Sequence, residues 1–294
     1  MNARALSLST IASDLASLTK PRLSSLVLIT TAGGMWLAPG ALSPARAIAT
    51  LLAIAGTVGA ANAFNCYIER DIDRLMARTR NRPLPAGRME PQVALWFAIS
   101  LVAISLPTLA FEANVLTALL GFVALSSYVW IYTPLKARSY TAMLVGAVPG
   151  ALPPLMGWTA VTGRIQWPGV LLFGILFFWQ IPHFIAIALF LKDEYRAAGL
   201  KSLPLERGEQ VSRAQLLGYV LALCLVALLP PLTGMAGWLY GAAALALNVV
   251  FVRLALQGFI GRLGNPWARK VFRFSLVYLT GIFAAFWIDA VLHR

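Results

Sequence analysis

Nine long apolar runs, at about 23–42, 46–67, 92–111, 114–134, 141–160, 167–190, 214–233, 235–256 and 272–291, dominate the sequence. Each is close to the roughly 20 residues that a helix needs to cross a hydrocarbon layer about 30 Å thick. Spans of that length consume most of the 294 residues, so the connections are short and a second domain has no room. The expected fold is therefore all-α: a polytopic membrane protein of about nine transmembrane helices. Residues 1–294 would form one integral membrane domain, with 1–22 as an N-terminal segment on the cytoplasmic side. The chain is 59% hydrophobic and only 12% charged, against roughly 45–50% and 25% in soluble domains. The runs are continuous and do not alternate, which excludes a β-barrel. The lipid bilayer is the first partner that the chain implies.

A net charge of +13 would suggest nucleic acid in a soluble protein. Here its distribution decides otherwise. With nine spans, all but three of the 24 Lys and Arg residues (Arg46, Arg164 and Arg294) fall on one side of the membrane. Cytoplasmic loops collect such residues, so the N-terminus is expected inside and no nucleic-acid partner is expected. The first 20 residues mix polar and apolar types ahead of a full-length apolar run, so no cleaved signal peptide is expected. The stretch from about Thr10 to Leu18 reads as an amphipathic surface helix. Cys66 and Cys224 lie in apolar runs, too few for a disulfide framework and without zinc-site spacing, and read as packed thiols.

The outer connections are minimal, whereas 68–91 and 191–213 are long and charged, which places the chemistry on the cytoplasmic side. The strongest cluster is Asn62, Asn65, Glu69 and Asp73, followed by Arg78 and Arg82. At about 100° per residue, Asn65, Glu69 and Asp73 fall within about 60° of Asn62 on a helix, while Asp71 falls on the opposite face. The result is one oxygen-bearing stripe about 16 Å long, from inside the membrane to its surface. Carboxylate and amide oxygens suit Mg²⁺, which completes its shell with water and substrate phosphates. Arg78 and Arg82, four residues apart, suit phosphate oxygens. The bland alternative has the amides joining helices and the acids pairing with loop arginines.

A second cluster ends the sixth run: Trp179, Gln180, Pro182 and His183, then Lys192, Asp193, Glu194 and Tyr195. If the span begins near Trp167, His183 lies about 24 Å along it, where a polar side chain is costly and commonly functional. Pro182 is expected to kink the helix and open polar backbone. Tyr132, Lys136 and Arg138 form a third, short basic connection that reaches the same mouth or merely anchors a helix end. Gly146, Pro149, Gly150, Pro153, Pro154 and Gly157 suggest an irregular, closely packed fifth span. The first two clusters each end an even-numbered span before a charged loop, as two parallel half-repeats would.

Asn65-x₃-Glu69-x₃-Asp73 with Arg78-Thr79-x-Asn81-Arg82-Pro83-Leu84 resembles the aspartate-rich motif of the UbiA-type intramembrane prenyltransferases. A finer pattern is similar to the heme-farnesylating branch of that family. It comprises Thr19-Lys20-Pro21-Arg22, Asn62-x₂-Asn65-Cys66-Tyr67, Asp71-Ile72-Asp73-x₂-Met76-x-Arg78-Thr79, Tyr132-Thr133-x₂-Lys136 and Trp179-Gln180-x-Pro182-His183-Phe184. The resemblance covers nearly the whole chain. Family members with aromatic substrates carry a second motif of spaced aspartates; His183 stands near its first expected position here, which favours the heme branch.

The resemblance implies a nine-helix bundle around a central cavity and transfer of a farnesyl group from farnesyl diphosphate to a vinyl group of heme b. It implies Mg²⁺ on Asn65, Glu69 and Asp73, helped by Asp193. Arg78, Arg82 and Lys136 would hold the diphosphate. Lys192, Tyr132 and Gln180 would join His183 in binding substrate, and Asn62 would orient the metal ligands or touch substrate. His183 would ligate the heme iron or position water or a proton. Implied partners are a downstream heme-modifying enzyme or a terminal oxidase. The lack of an Arg- and Ser-rich transit extension favours a bacterial inner membrane. Rival readings are a relative acting on a quinone precursor or chlorophyll-like ring, a transporter, and a heme-binding assembly factor.

Overall fold

A computed structural model describes residues 8–293, with Leu8, Arg22, Leu23 and His293 by backbone alone. Arg4, Arg294 and the first seven residues of the 1–22 segment lie outside the described residues. The chain begins with α1 (Leu8–Leu18), α2 (Pro21–Leu37), α3 (Pro44–Ile68), α4 (Arg70–Arg74) and α5 (Pro91–Glu112). Next, α6 (Val115–Ser126) passes through a π-helical turn (Ser127–Tyr132) into α7 (Thr133–Leu135). Then follow α8 (Ala142–Thr162), α9 (Trp167–Phe190), α10 (Lys192–Ala197) and α11 (Leu203–Glu206). The last four are α12 (Gly208–Ala227), α13 (Leu229–Leu232), α14 (Trp238–Gly261) and α15 (Asn265–His293). Among the described residues there is no strand.

Eight helical stretches are long and apolar enough to cross a bilayer: α3, α5, 115–135, α8, α9, 208–232, α14 and α15. This is an integral membrane protein, and large apolar side chains such as Phe111, Trp130, Leu225 and Trp238 accordingly face outward. The first apolar run differs from its expected 23–42, because α2 stops at Leu37 after 17 residues. Pro39 pushes the residue before it out of the helical region, and Ala38 is extended at φ −70°, ψ 143°. Gly40, at φ 111°, then turns the chain. The fifth span stays helical despite its three prolines. The surface helix expected from about Thr10 is present as α1, whose Leu18 is buried beside Ala63, Cys66, Ala94 and Ala98.

Sequential apolar helices lie side by side, from α2 through α3, α5, α6, α8, α9, α12 and α14 to α15, and α15 returns to α2. Two further pairings brace this ring: α2 along α8, and α9 along α15. The first depends on small residues. A Cβ on Gly34 would overlap the Pro154 carbonyl, and one on Gly157 would overlap the Thr31 carbonyl, so the two backbones touch. At the far end of the ring Asp289 of α15 accepts hydrogen bonds from the Gly237 (2.5 Å) and Tyr240 (3.3 Å) N–H groups at the start of α14. Asp289→Ala should remove this cap, costing about 1–2 kcal/mol and roughly 2–4 °C of thermal midpoint in detergent. An unchanged midpoint would assign the ring's closure to packing alone.

Candidate active site at the ends of α3 and α9

The last turn of α3 and the whole of α4 act as one helix. The Glu69 N–H donates to the Asn65 carbonyl (2.9 Å) and the Asp73 N–H to the Glu69 carbonyl (2.8 Å), so helical register passes through the junction. Asn62, Asn65, Glu69 and Asp73 therefore share a face, and all four are at most 6% exposed. Asp71, half a turn away, has a side chain 69% exposed and paired with Arg70 and Arg74.

Each polar group of the stripe meets a partner from another segment. Lys136 Nζ lies 2.7 Å from Glu69 Oε1 and 2.9 Å from Oε2. Arg82 Nη1 lies 2.7 Å from Asp73 Oδ2. Lys20 Nζ donates to Asn65 Oδ1 (2.8 Å), and Asn65 Nδ2 donates to Thr133 Oγ1 (3.3 Å). Asn62 Nδ2 donates to the Thr19 carbonyl (3.2 Å), tying α3 to the turn before α2. Thr79 Oγ1 donates to the Asp73 carbonyl (2.8 Å) and folds the Arg78–Arg82 segment back over the stripe.

Two local distortions deliver these partners. The Thr133 N–H and hydroxyl both reach back to the Tyr128 carbonyl, a π turn one residue longer than an α turn. Pro134 follows it and has no N–H to close an ordinary turn. The extra residue brings Thr133 to Asn65 and Lys136 to Glu69, with the Lys136 ammonium 5.3 Å from the centre of the Tyr132 ring. Lys20, at φ 50°, occupies the left-handed region immediately before α2, a strained position for a non-glycine residue. Burial, with Arg82 and Lys136 nearby, brings the Lys20 pKa down to about 8. Burial opposes the charge on Lys136 too, but Tyr132 and the Glu69 carboxylate outweigh it and hold that pKa above the usual lysine range.

The second cluster is built differently from the first. The helix α9 runs on through Pro182 to Phe190 without interruption. Gln180 Nε2 donates to the Ala147 (3.3 Å) and Leu176 (3.1 Å) carbonyls, and its side chain fills the space beside Gly150 of α8. His183 Nδ1 is 2.7 Å from Ser275 Oγ on α15, and its ring lies between Trp179 and Phe272 at centroid distances of 4.9 and 4.8 Å. Neither Gln180 nor His183 makes a hydrogen bond to the stripe. Asp193 points away: its side chain is 86% exposed and pairs with Arg196 at 2.7 Å. Lys192 pairs with Glu209 at 2.9 Å. No group of three His, Cys, Asp or Glu side chains poised to hold a metal occurs among the described residues.

The two charged loops nevertheless meet. Ile72 and Met76 of the first pack against Tyr195, Ala198 and Leu200 of the second. The Lys201 N–H donates to the Lys136 carbonyl (3.1 Å), so the third cluster joins them. Arg78 is exposed and makes no ion pair among the described residues. It lies near Tyr195, whose half-buried phenol has its pKa raised by desolvation. Sequence reasoning assigned no site role to Lys20, Thr133, Tyr195 or Ser275. Lys20, Thr133 and Tyr195 stood within the motifs, whereas Ser275 carried no signal at all.

Residues 27–277 match the sequence model of the UbiA prenyltransferase family. The protoheme IX farnesyltransferase of Myxococcus xanthus (strain DK1622) is 67% identical over 291 residues, covering 99% of each chain. Among solved structures, a digeranylgeranylglyceryl phosphate synthase aligns over 95% of this chain and 98% of its own, with a TM-score of 0.82 at 17% identity. A UbiA homolog from Archaeoglobus fulgidus, bound to DMAPP and Mg²⁺, aligns over 93% of this chain and 99% of its own, with a TM-score of 0.69 at 18% identity. At those identities the structures establish the helical fold, while the family match and the Myxococcus relative span the buried stripe and both loops. The chain belongs to the UbiA prenyltransferase family.

Proposed function

We propose that this chain is a protoheme IX farnesyltransferase: it transfers the farnesyl group of farnesyl diphosphate to a vinyl group of heme b, giving heme o and diphosphate. The observation that carries the reading is the buried row Asn65, Glu69 and Asp73 faced by Lys20, Lys136 and Arg82, in a chain 67% identical to an enzyme of that name. The donors suit Mg²⁺ chemically: two carboxylates and an amide oxygen, all hard and all buried, one turn apart along the helix, so that phosphate and water oxygens would complete any shell formed there. Bound there with diphosphate, Mg²⁺ would neutralise the leaving group.

The protein's own residues do the rest. Lys136 and Arg82, already beside the carboxylates, move to share charge with the departing diphosphate, and Arg78 supplies a further guanidinium. The allylic C–O bond breaks with its electron pair on diphosphate. The vinyl carbon then attacks the farnesyl cation, and water adds to the new cation with loss of a proton, leaving a hydroxyl. The apolar contact of Ile72 and Met76 with Tyr195, Ala198 and Leu200 joins the two loops and would shield the reacting carbon from bulk water until then. Tyr132, beside Lys136, would contact substrate, as would Lys192 and Gln180 on leaving Glu209 and the Ala147 carbonyl, and Asn62 holds the stripe through Thr19. Asp193 would reach the metal only after leaving Arg196.

His183, held between two rings, ligates the heme iron. His183→Ala should weaken heme b binding about tenfold or more and change its absorption spectrum. Farnesyl diphosphate affinity should stay within roughly twofold, since no contact joins His183 to the stripe. Equal loss of both would contradict this division. The chain as a whole acts as one membrane domain in a bacterial inner membrane. The clustering of all but three of its cations on one side supports a cytoplasmic N-terminus and active site. The product then passes to a heme-modifying enzyme or a terminal oxidase.

A further inference from the structure

The Ser275 hydroxyl beside His183 makes two short contacts but has one hydrogen to give. Ser275 Oγ lies 2.6 Å from the Phe272 carbonyl and 2.7 Å from His183 Nδ1. A carbonyl has no hydrogen to give, so the single hydroxyl hydrogen must lie between Ser275 and Phe272. The serine then meets the imidazole with a lone pair, and the hydrogen of the second contact has to come from Nδ1. In the neutral ring only one nitrogen carries a hydrogen, so Nε2 is left with its lone pair.

The surroundings hold that arrangement in place. Trp179 Nε1 donates to the Ser275 carbonyl at 2.6 Å, fixing the backbone that carries the serine. Trp179 and Phe272 both pack against the imidazole, at interplanar angles of 26° and 35°, and so restrict its rotation. The Nδ1 edge is occupied by Ser275, while Nε2 makes no hydrogen bond among the described residues and His183 is only half-buried. The Nδ1 edge of the ring is thus committed to the protein, while Nε2, the basic nitrogen, has no protein partner among the described residues.

We propose that Ser275 is a positioning residue for the heme substrate: it fixes the Nδ1–H form of His183 and so presents Nε2 as the lone-pair ligand for the iron. The inference rests on the reading of His183 as the heme contact. Metal-binding histidines characteristically donate their other N–H to a fixed acceptor, which orients the ring and raises its basicity. Here the acceptor is a serine hydroxyl made into an obligate acceptor by the carbonyl one turn back.

The test titrates heme b into the full-length protein and its Ser275→Ala, Ser275→Thr and His183→Ala variants in lipid nanodiscs. Each is followed by absorption and by the iron–imidazole stretching band of the ferrous complex. Farnesyl diphosphate binding serves as the check on folding. Ser275→Ala should weaken heme binding about tenfold and move the stretching band to lower frequency. Ser275→Thr, which keeps the hydroxyl, should restore both. If His183→Ala leaves heme binding and spectrum unchanged, the reading of His183 itself fails. If His183→Ala abolishes the band but Ser275→Ala matches the parent, the inference about Ser275 alone is overturned. If Ser275→Thr behaves like Ser275→Ala, the serine acts through packing and not through its lone pair.

Discussion

Asp73→Asn should lower turnover by at least about 10³-fold while leaving heme b binding intact. The substitution keeps shape and a hydrogen-bond acceptor for Arg82, so the contact now at 2.7 Å need not be lost. What disappears is the negative charge at the membrane-surface end of the stripe, next to the place where a diphosphate leaves. Because the charge matters most as the C–O bond breaks, the loss should fall on kcat more than on KM. Asp71→Asn, two residues earlier on the exposed face, is the internal control and should stay close to the parent. Steady-state release of diphosphate measures both. Equal effects of the two variants would show that net loop charge, not the stripe, is what catalysis uses.

Gly34→Val should abolish the folded protein. The α2–α8 contact has no space at this point: even a Cβ would coincide with the Pro154 carbonyl, a backbone atom that cannot swing aside. A branched side chain must separate the two helices, and we expect a loss of about 4 kcal/mol or more. Size-exclusion of the detergent-solubilised variant should show aggregate in place of a single peak. Gly218→Ala on α12, where nothing lies within 4 Å of the added carbon, should be neutral. A monodisperse Gly34→Val protein would mean that α2, the shortest of the spans, can shift without cost.

The contrast between Asp71 and Asp73 explains how much of the site could be read from the chain alone. Helical period decides which of two nearby acids turns inward, and it separates them because the register survives the α3–α4 junction. Period says nothing about which helix comes to cover that face. Lys20 precedes its partner Asn65 by 45 residues and Ser275 follows His183 by 92, so both pairs arise only when the helices pack together. Lys136 was visible as a cation at the right level, but its contact with Glu69 depends on a π turn that no residue pattern announced. The end of α2 was misplaced because hydropathy continues past Pro39 while the backbone does not. At Pro182 the backbone stays helical where a proline occurs, because within a packed bundle neighbouring helices hold a proline-bearing helix together.

The most direct measurement supplies the purified protein with heme b, farnesyl diphosphate and Mg²⁺ and analyses the heme fraction by mass spectrometry. The account predicts a heme carrying one hydroxyethylfarnesyl group, one diphosphate released per product, and loss of both in Asp73→Asn. Diphosphate release with an unmodified heme, in a protein that binds both substrates, would contradict it and assign the prenyl group to a different acceptor.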